Sequence, residues 1–244
     1  MRRVKLFDRG GMVALDKPPG VSMATSSREG KSGEAAVQRL LEVCGEPADA
    51  GLLLIHRLDL GTSGVVLLAR DAESHRAVSR ALQEGRARKT YRALVWGRPR
   101  PDHGTYDDPL GRDPRDGRRM TARRDGKRAV TAYRTIARLG PVCDVELSPE
   151  TGRTHQIRVH LAAHGHPIVG DDLYGGATRW RGVRDPRQRR GLASVMRPLL
   201  HAARIEIPEL GLDVSAPMPF DYLRALEILG SKSAGTPSSR RTRA

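Results

Sequence analysis

The sequence predicts an α+β fold with a mixed, mainly antiparallel central sheet and flanking helices around a cleft. Short apolar segments of strand length follow one another through short turns, and helix patterns interrupt them irregularly. A doubly wound parallel sheet would need strands and helices in regular alternation, so it is disfavoured. With 244 residues, the chain is long enough to bury a sizeable core.

The first half of the chain contains three strand signals and two helix signals. MVALDK is a short apolar strand that ends at a Pro-Pro-Gly turn, and LLLI and GVVLLAR are further strands. EAAVQRLLEVC is an amphipathic helix, and Gly45 is placed to end it. Asp71 has the position of an N-cap before the helix AESHRAVSRALQ, which Gly85 would close.

The second half continues in the same manner. KTYRALVWG, AVTAYRTIARL and VCDVELSP are strand candidates, and THQIRVHLAAHG is a short helix that ends at Gly165. A last strand, AARIEIP, and a last helix, FDYLRALEIL, complete the pattern. We therefore expect one domain over residues 1–230.

The charge balance indicates a polyanionic partner. Lys and Arg number 43 against 28 Asp and Glu, which gives a net charge of +15 and favours nucleic acid over a small neutral metabolite. Residues 98–134, 176–207 and 231–244 carry +5, +6 and +4 of this charge. We interpret residues 98–128 and 176–197 as basic insertions, each a long loop or a flexible hairpin, that contact a phosphate backbone, and 231–244 as a disordered basic tail.

Cysteine use and hydropathy indicate the compartment. Cys44 and Cys143 lie in apolar segments and form neither a disulfide framework nor a metal-site spacing, which fits a reducing environment. No apolar run approaches the roughly 20 residues of a membrane span, and the N-terminus lacks a secretory signal pattern. We expect a cytoplasmic protein without membrane contact, and a monomer as the default state.

The loop HRLDLGTSG, residues 56–64, joins two apolar strands and concentrates polar residues between them. An isolated aspartate in a loop is usually a turn residue or a helix cap. Here Arg57 would keep Asp59 ionised, because an opposite charge nearby lowers a carboxyl pKa. An ionised carboxylate with no second carboxylate beside it suggests a nucleophile rather than an acid–base pair.

The segment TGRTHQIRVHLAAHGHPIVGDDLYG, residues 151–175, contains four histidines, so a metal site must be considered. His160 and His164 share a helix face, but the Glu of H-E-x-x-H is missing and the nearest carboxylates lie beyond the helix. We therefore expect no metal; these histidines would pack against the sheet or face solvent.

The start of the same helix favours anion binding. His155 and Arg158 share a face at i, i+3, and Arg153 and Gln156 lie beside them. Unsatisfied amides at a helix N-terminus add to such side-chain donors, so a phosphate or a carboxylate would bind here.

On the strand RKTYRALVWG, Lys89, Tyr91 and Ala93 point to one face. A tyrosine between cations on a strand is usually an ordinary half-buried sheet residue. The chain has only two Phe, two Trp and five Tyr, which argues against single-strand binding by a row of stacked aromatics.

Together with LDKPPG near the N-terminus, these three motifs closely resemble the RluA-type pseudouridine synthases, from about Leu15 to about Leu229. The resemblance implies isomerisation of uridine to pseudouridine in structured RNA by one aspartate, without cofactor or metal. By position, Asp59 matches the catalytic aspartate and Tyr91 the tyrosine against the target base. Arg158 matches the basic residue that pairs with the aspartate.

The resemblance also implies a wider set of substrate contacts. Arg57 matches the arginine that helps displace the extruded nucleotide. We expect the substrate to be bound by residues of the three motifs, namely Arg57, Thr62, Ser63, Gly64, Arg153, His155 and Gln156.

Some family features remain open at this point. No separate S4-like RNA-binding domain is expected before LDKPPG, so the catalytic domain and its basic segments would bind the RNA. Ribosomal RNA is a better candidate than transfer RNA, and whether the aspartate attacks the sugar or the base stays open. The alternative is a non-catalytic RNA-binding or ribosome-assembly factor that retains the fold.

Overall fold

In the computed structural model, residues 4–23, 33–48 and 51–230 are described, and they form a central sheet with helices on both faces. The sheet and one separate hairpin contain these strands: β1 (Lys5–Arg9), β2 (Met12–Lys17), β3 (Leu53–Leu54), β4 (Ser63–Ala69), β5 (Arg88–Trp96), β6 (His103–Tyr106), β7 (Leu110–Arg112), β8 (Met120–Ala122), β9 (Thr131–Leu139), β10 (Val142–Pro149), β11 (Leu200–Ile207) and β12 (Leu212–Ser215).

The main sheet runs in the order β1-β2-β4-β11-β5-β10-β9-β6, with β3 paired to β4 and β12 paired to β11. The pairing of β4 with β11 is parallel, and the other pairings of this sheet are antiparallel. The prediction of a mixed, mainly antiparallel sheet is therefore confirmed. Because β5 lies between β11 and β10, its side chains reach the middle of the molecule.

The helices pack around the sheet. They are α1 (Glu34–Cys44), α2 (Ala72–Gln83), α3 (Gln156–Ala163), α4 (Pro186–Ala193) and α5 (Phe220–Gly230). Helices α1 and α2 end close to the positions that their sequences predict. Asp71 caps α2 by accepting a hydrogen bond from the amide of Ser74, and Gly45 ends α1 in the left-handed region at φ 65°. Helix α1 packs on one face of the N-terminal half of the sheet and α2 on the other.

The structure differs in part from the expectation of long loops or flexible hairpins over 98–128 and 176–197. The first segment contains β6, which extends the sheet along β9, and the separate β7–β8 hairpin. The second contains a 3₁₀ turn at Arg179–Gly182 and helix α4, which is capped by Asp185 and buries Leu192. Strand β6 and helix α4 were not predicted, because the few apolar positions that pack in these segments lie among many charged and turn-forming residues.

The predicted disordered tail, 231–244, lies outside the described residues. Among the helices of the described ranges, none is long and apolar enough to span a bilayer.

Candidate active site

Asp59 lies in the turn between β3 and β4, and buried cations hold the backbone of that turn. The ammonium of Lys17, at the end of β2, donates to the carbonyls of Leu60 at 3.3 Å and Thr62 at 2.7 Å. The guanidinium of Arg197 donates to the carbonyl between them, that of Gly61, at 2.9 Å. Charged donors make strong hydrogen bonds, so the turn that carries Asp59 is fixed in place.

Lys17 is fully buried, and this changes its titration. Burial, together with the positive charge of Arg197, lowers the pKa of Lys17 from 10.5 to about 8, and the negative charge of Asp59 opposes this shift. Three carbonyls, those of Pro18, Leu60 and Thr62, accept from this one ammonium. A neutral amine has only two N–H groups, so deprotonation would leave one of these carbonyls without its donor.

We therefore expect kcat to fall as pH rises through about 8, the pKa of Lys17. The free energy of unfolding changes in the opposite direction to kcat. Between about pH 8 and 10.5 Lys17 is protonated in the unfolded chain but not in the folded chain, so the stability of the fold rises with pH. A pH–rate profile and melting curves over this range measure both. Lys17→Arg, which stays protonated, should remove the alkaline fall; an unchanged fall in that variant contradicts the assignment.

An ion-pair chain links Asp59 to the start of α3. The Arg158 guanidinium donates from Nη1 to Asp59 Oδ2 at 3.2 Å, and from Nε and Nη2 to the two carboxylate oxygens of Asp171, each at 2.8 Å. Asp171 is fully buried and Arg158 is 7 % exposed. Burial disfavours the charged guanidinium, but the hydrogen bonds and charges of Asp171 and Asp59 outweigh it and raise the pKa of Arg158. Arg158 is thus a fixed positive charge facing Asp59.

His155 approaches the same carboxylate. Its Nε2 lies 3.9 Å from Asp59 Oδ2, so His155 and Arg158 both face this carboxylate, although His155 lies before the helix rather than on it. His155 immediately precedes α3 and has φ 56°, which is uncommon for a residue other than glycine. Such backbone strain is often found at functional sites.

Tyr91 and Lys89 reach the cleft from the central strand β5. Both line a cavity of about 130 Å³ together with Asp59, Arg158 and Leu200. This cavity joins a wider cleft of about 700 Å³ that extends to α2. Burial, and then the negative charge of Asp59, raise the pKa of Tyr91, so its hydroxyl stays protonated at neutral pH. A planar ring, a carboxylate and a guanidinium therefore surround one small cavity.

Two of the predicted substrate-binding residues, Ser63 and Gly64, contact the fold rather than the cleft. Ser63 shares a hydrogen bond of 3.0 Å with His201, and a Cβ at Gly64 would lie 2.1 Å from the carbonyl oxygen of Ala202. These two residues let β4 run beside β11. Gln156 lines the small cavity, but its side chain is also bonded to the fold: Nε2 donates to Val130 O and Thr131 Oγ1, and Oε1 accepts from the backbone amide of Arg153.

The other predicted residues do line the cleft. Thr62 lies at the small cavity, and Arg57 and Arg153 are exposed at its rim. The expectation that Arg57 sets the charge of Asp59 came from its adjacency in the sequence. In the structure, the guanidinium 3.2 Å from Asp59 is that of Arg158.

The histidines of the α3 segment have separate partners. His160 is buried between Thr131 Oγ1 and the carbonyl of Asp108, and His164 bonds the carboxylate of Asp108 at 2.7 Å. Over residues 4–23, 33–48 and 51–230, no three His, Cys, Asp or Glu side chains group as metal ligands.

Sequence reasoning missed Lys17, Lys89, Asp171 and Arg197 as site residues. Lys17 stood inside an apolar strand before Pro-Pro-Gly, and a charged residue in such a run is a signal that could have found it. Asp171 lies in the turn region after α3, and an aspartate there is usually interpreted as an ordinary turn residue. Arg197 carries no local signal, because only the folded chain brings it to the Asp59 turn.

Comparison with known proteins shows the family of this chain. The family model described as RNA pseudouridylate synthase matches residues 11–163. An RNA pseudouridine synthase of Chloroflexus aurantiacus is 42 % identical over 185 residues, which cover 74 % of this chain and 54 % of that protein. Ribosomal large subunit pseudouridine synthase D of Xanthomonas campestris is 37 % identical over 236 residues, covering 94 % of this chain and 70 % of that protein.

Solved structures show the same architecture. Human RNA pseudouridylate synthase domain containing 4 superimposes with a TM-score of 0.71 at 26 % identity, covering 93 % of this chain and 92 % of that one. The human domain containing 1 protein gives a TM-score of 0.69 at 27 % identity, covering 92 % and 86 %. The resemblance drawn from the motifs is confirmed, and the chain belongs to the RNA pseudouridylate synthase family.

Proposed function

We propose that this protein isomerises specific uridines to pseudouridine in structured RNA, with Asp59 as the catalytic residue. The observation that carries the proposal is the small cavity in which the Asp59 carboxylate, paired with Arg158 at 3.2 Å, lies with Tyr91. The family match supplies the reaction class, and the cavity supplies the groups that such a reaction needs.

The reaction rearranges the atoms of one nucleotide without adding or removing any group. The bond between N1 of uracil and C1′ of ribose breaks, uracil turns, and a bond between C5 and C1′ forms. The proton on C5 leaves and N1 gains one, so the reaction needs no oxidant, reductant or group donor. An ionised carboxylate can attack the sugar carbon or add to the pyrimidine ring. In both cases the Arg158 guanidinium, 3.2 Å from Asp59 Oδ2, orients the carboxylate.

The target base must leave the RNA stack to reach Asp59, because the cavity lies behind a cleft. Everting a base costs a few kcal/mol, which stacking and backbone contacts offset. Tyr91 is placed to contact the everted ring, and Arg57 and Arg153 at the rim are placed to contact the flanking backbone. Lys89 adds a half-buried cation to the same cavity.

We further propose that ribosomal RNA is the substrate. The relative in Xanthomonas campestris is named a ribosomal large subunit pseudouridine synthase, and so is one in Nitrosomonas europaea that is 34 % identical over 95 % of this chain. A basic groove of about 580 Å³, formed by the β7–β8 hairpin and lined by Arg112, Arg123, Lys127 and Arg153, adjoins the cleft. The net charge of +15 suits a long polyanion.

We also infer a cytoplasmic location and action as a monomer. Cys44 and Cys143 are free, as expected of a reducing compartment, and ribosomal RNA would be the partner there. Cell fractionation and light scattering of the purified protein test these two inferences.

The reaction can be followed through the proton that leaves C5. Purified protein is incubated with transcripts of large-subunit ribosomal RNA, or of transfer RNA, that carry [5-³H]uridine, and tritium released to water is counted. We expect release from the ribosomal transcript. A protein that binds both RNAs and releases tritium from neither would instead be the non-catalytic binding factor, and release from transfer RNA alone would overturn the choice of substrate.

The basic hairpin predicts a salt effect. Replacing Arg118, Arg119, Arg123 and Arg124 by Gln should reduce the slope of log Kd against log salt by about 1 to 3, since each lost phosphate contact removes about 0.7 to 0.9. Fewer than four contacts are expected because Arg118 pairs with Asp116 and Arg123 with Asp125. Filter binding at several salt concentrations measures the slope; an unchanged slope means these arginines do not contact RNA.

A further inference from the structure

Tyr174 lies between the β7–β8 hairpin and the groups that face Asp59. Its hydroxyl accepts a hydrogen bond from the backbone amide of Met120 in β8 at 3.0 Å, and it is 2.8 Å from Nδ1 of His155. The side chain is 7 % exposed. One buried hydroxyl thus connects a strand of the basic hairpin to a histidine of the active site.

The donors and acceptors around the Tyr174 hydroxyl favour one tautomer of His155. The Met120 amide donates to the hydroxyl oxygen, which leaves the single hydroxyl proton to be donated to Nδ1 of His155. A neutral His155 that accepts at Nδ1 carries its proton on Nε2. Nε2 is the atom 3.9 Å from Asp59 Oδ2, so an N–H group faces the carboxylate.

His155 stays neutral in this position at neutral pH. Burial lowers its pKa, and so does the charge of Arg158, while the charges of Asp59 and Asp171 act in the opposite direction. The left-handed backbone of His155, at φ 56°, directs the ring to this position.

The ring of Tyr174 contacts the second group that faces Asp59. The guanidinium carbon of Arg158 lies 5.0 Å from the ring centroid, and that of Arg119, in the hairpin, lies 5.5 Å from it. The Tyr174 amide also bonds Asp171, the carboxylate that holds Arg158. A single side chain therefore touches both His155 and Arg158.

We propose that Tyr174 is a positioning residue for the isomerisation: it holds His155 as the Nε2–H tautomer and supports Arg158, so that both are directed at Asp59. The inference rests on the proposed function for its effect on rate, but its structural part concerns His155 alone. Through Met120 and Arg119, the same residue ties the RNA-binding hairpin to the catalytic carboxylate.

The test combines a spectrum with kinetics. The two ring nitrogens of His155 are observed in long-range ¹H–¹⁵N spectra of the full chain, with the signal assigned by its loss in His155→Asn. We expect a protonated Nε2 and a bare Nδ1 in the unmodified protein, and a mixture of tautomers in Tyr174→Phe. Finding the proton on Nδ1 in the unmodified protein would overturn the proposal without any variant.

Kinetics separate positioning from simple support of the fold. In Tyr174→Phe we expect single-turnover tritium release at saturating protein to slow about five- to tenfold, because His155 loses its hydrogen bond to the hydroxyl, with RNA Kd within about twofold. The control is Tyr133→Phe, which loses a hydroxyl bonded to Pro101 O at 3.2 Å on the sheet, and should keep the full rate.

Equal rates in the two variants would overturn the positioning role. If the unmodified protein releases no tritium from any RNA, the proposed function fails, whereas the tautomer of His155 still decides the structural inference.

Discussion

Asp59→Asn is expected to abolish pseudouridine formation while RNA binding persists. The substitution keeps the size of the side chain but removes the only charge with which it can attack carbon, so the single-turnover rate should fall by about 10³-fold or more. RNA affinity should stay within a factor of about three, since the variant loses a negative charge near phosphates. Tritium release and filter binding on the same RNA preparation measure the two effects.

A matched control is available close by in the fold. Asp172→Asn removes a charge from an exposed carboxylate next to buried Asp171, and it should leave both rate and affinity unchanged. The Asp59→Asn variant should also fold normally, because Arg158 keeps its two bonds to Asp171. If Asp59→Asn converts uridine at the wild-type rate, Asp59 is not the catalytic residue.

Arg158→Met is expected to destabilise the fold and inactivate the protein together. The substitution leaves the carboxylate of Asp171 fully buried without its cation, and breaking a buried pair in this way costs about 3–5 kcal/mol. Asp59 loses its ion pair at the same time. Urea denaturation measures the stability, and tritium release at low temperature measures the activity of the folded fraction.

The double variant Arg158→Met/Asp171→Leu separates the two effects. Removing both buried charges should restore much of the stability, but activity should stay low because Asp59 still lacks Arg158. Arg204→Met, which breaks an exposed pair with Asp213, serves as the control and should cause no measurable loss of stability. A stable and fully active Arg158→Met variant would contradict the role of this residue.

The elements with strong apolar periodicity were predictable from the sequence. Helices α1 and α2, and strands β2, β4, β5, β9, β10 and β11, lie where the pattern places them, because burial of a regular face dominates their stability. Strands β1, β6 and β12 and helix α4 were not predicted, and the β7–β8 pair was expected only as a long loop or a flexible hairpin. These elements are short or polar, so they carry little apolar periodicity. The strands among them are stabilised by hydrogen bonding to a neighbouring strand.

The site residues were predictable where each lies in a recognisable motif, and less predictable where only the folded chain brings them to the site. Asp59, Tyr91 and Arg158 were chosen by resemblance, and the structure brings them to one cavity. Ser63 and Gly64 were assigned to substrate binding because they follow Thr62 in the same motif. In the structure, Ser63 instead forms a hydrogen bond with His201 inside the fold. Contacts between distant segments, such as Arg197 with the Asp59 turn, have no local signature.

The most direct test of the central claim is a map of pseudouridines across total RNA from cells that carry the gene, that lack it, and that lack it but express Asp59→Asn. We predict that one or more sites in large-subunit ribosomal RNA are lost without the gene and return with the unmodified gene but not with Asp59→Asn. Identical maps in all strains, or restoration by the Asp59→Asn variant, would contradict the claim that the Asp59 cavity isomerises uridine in ribosomal RNA.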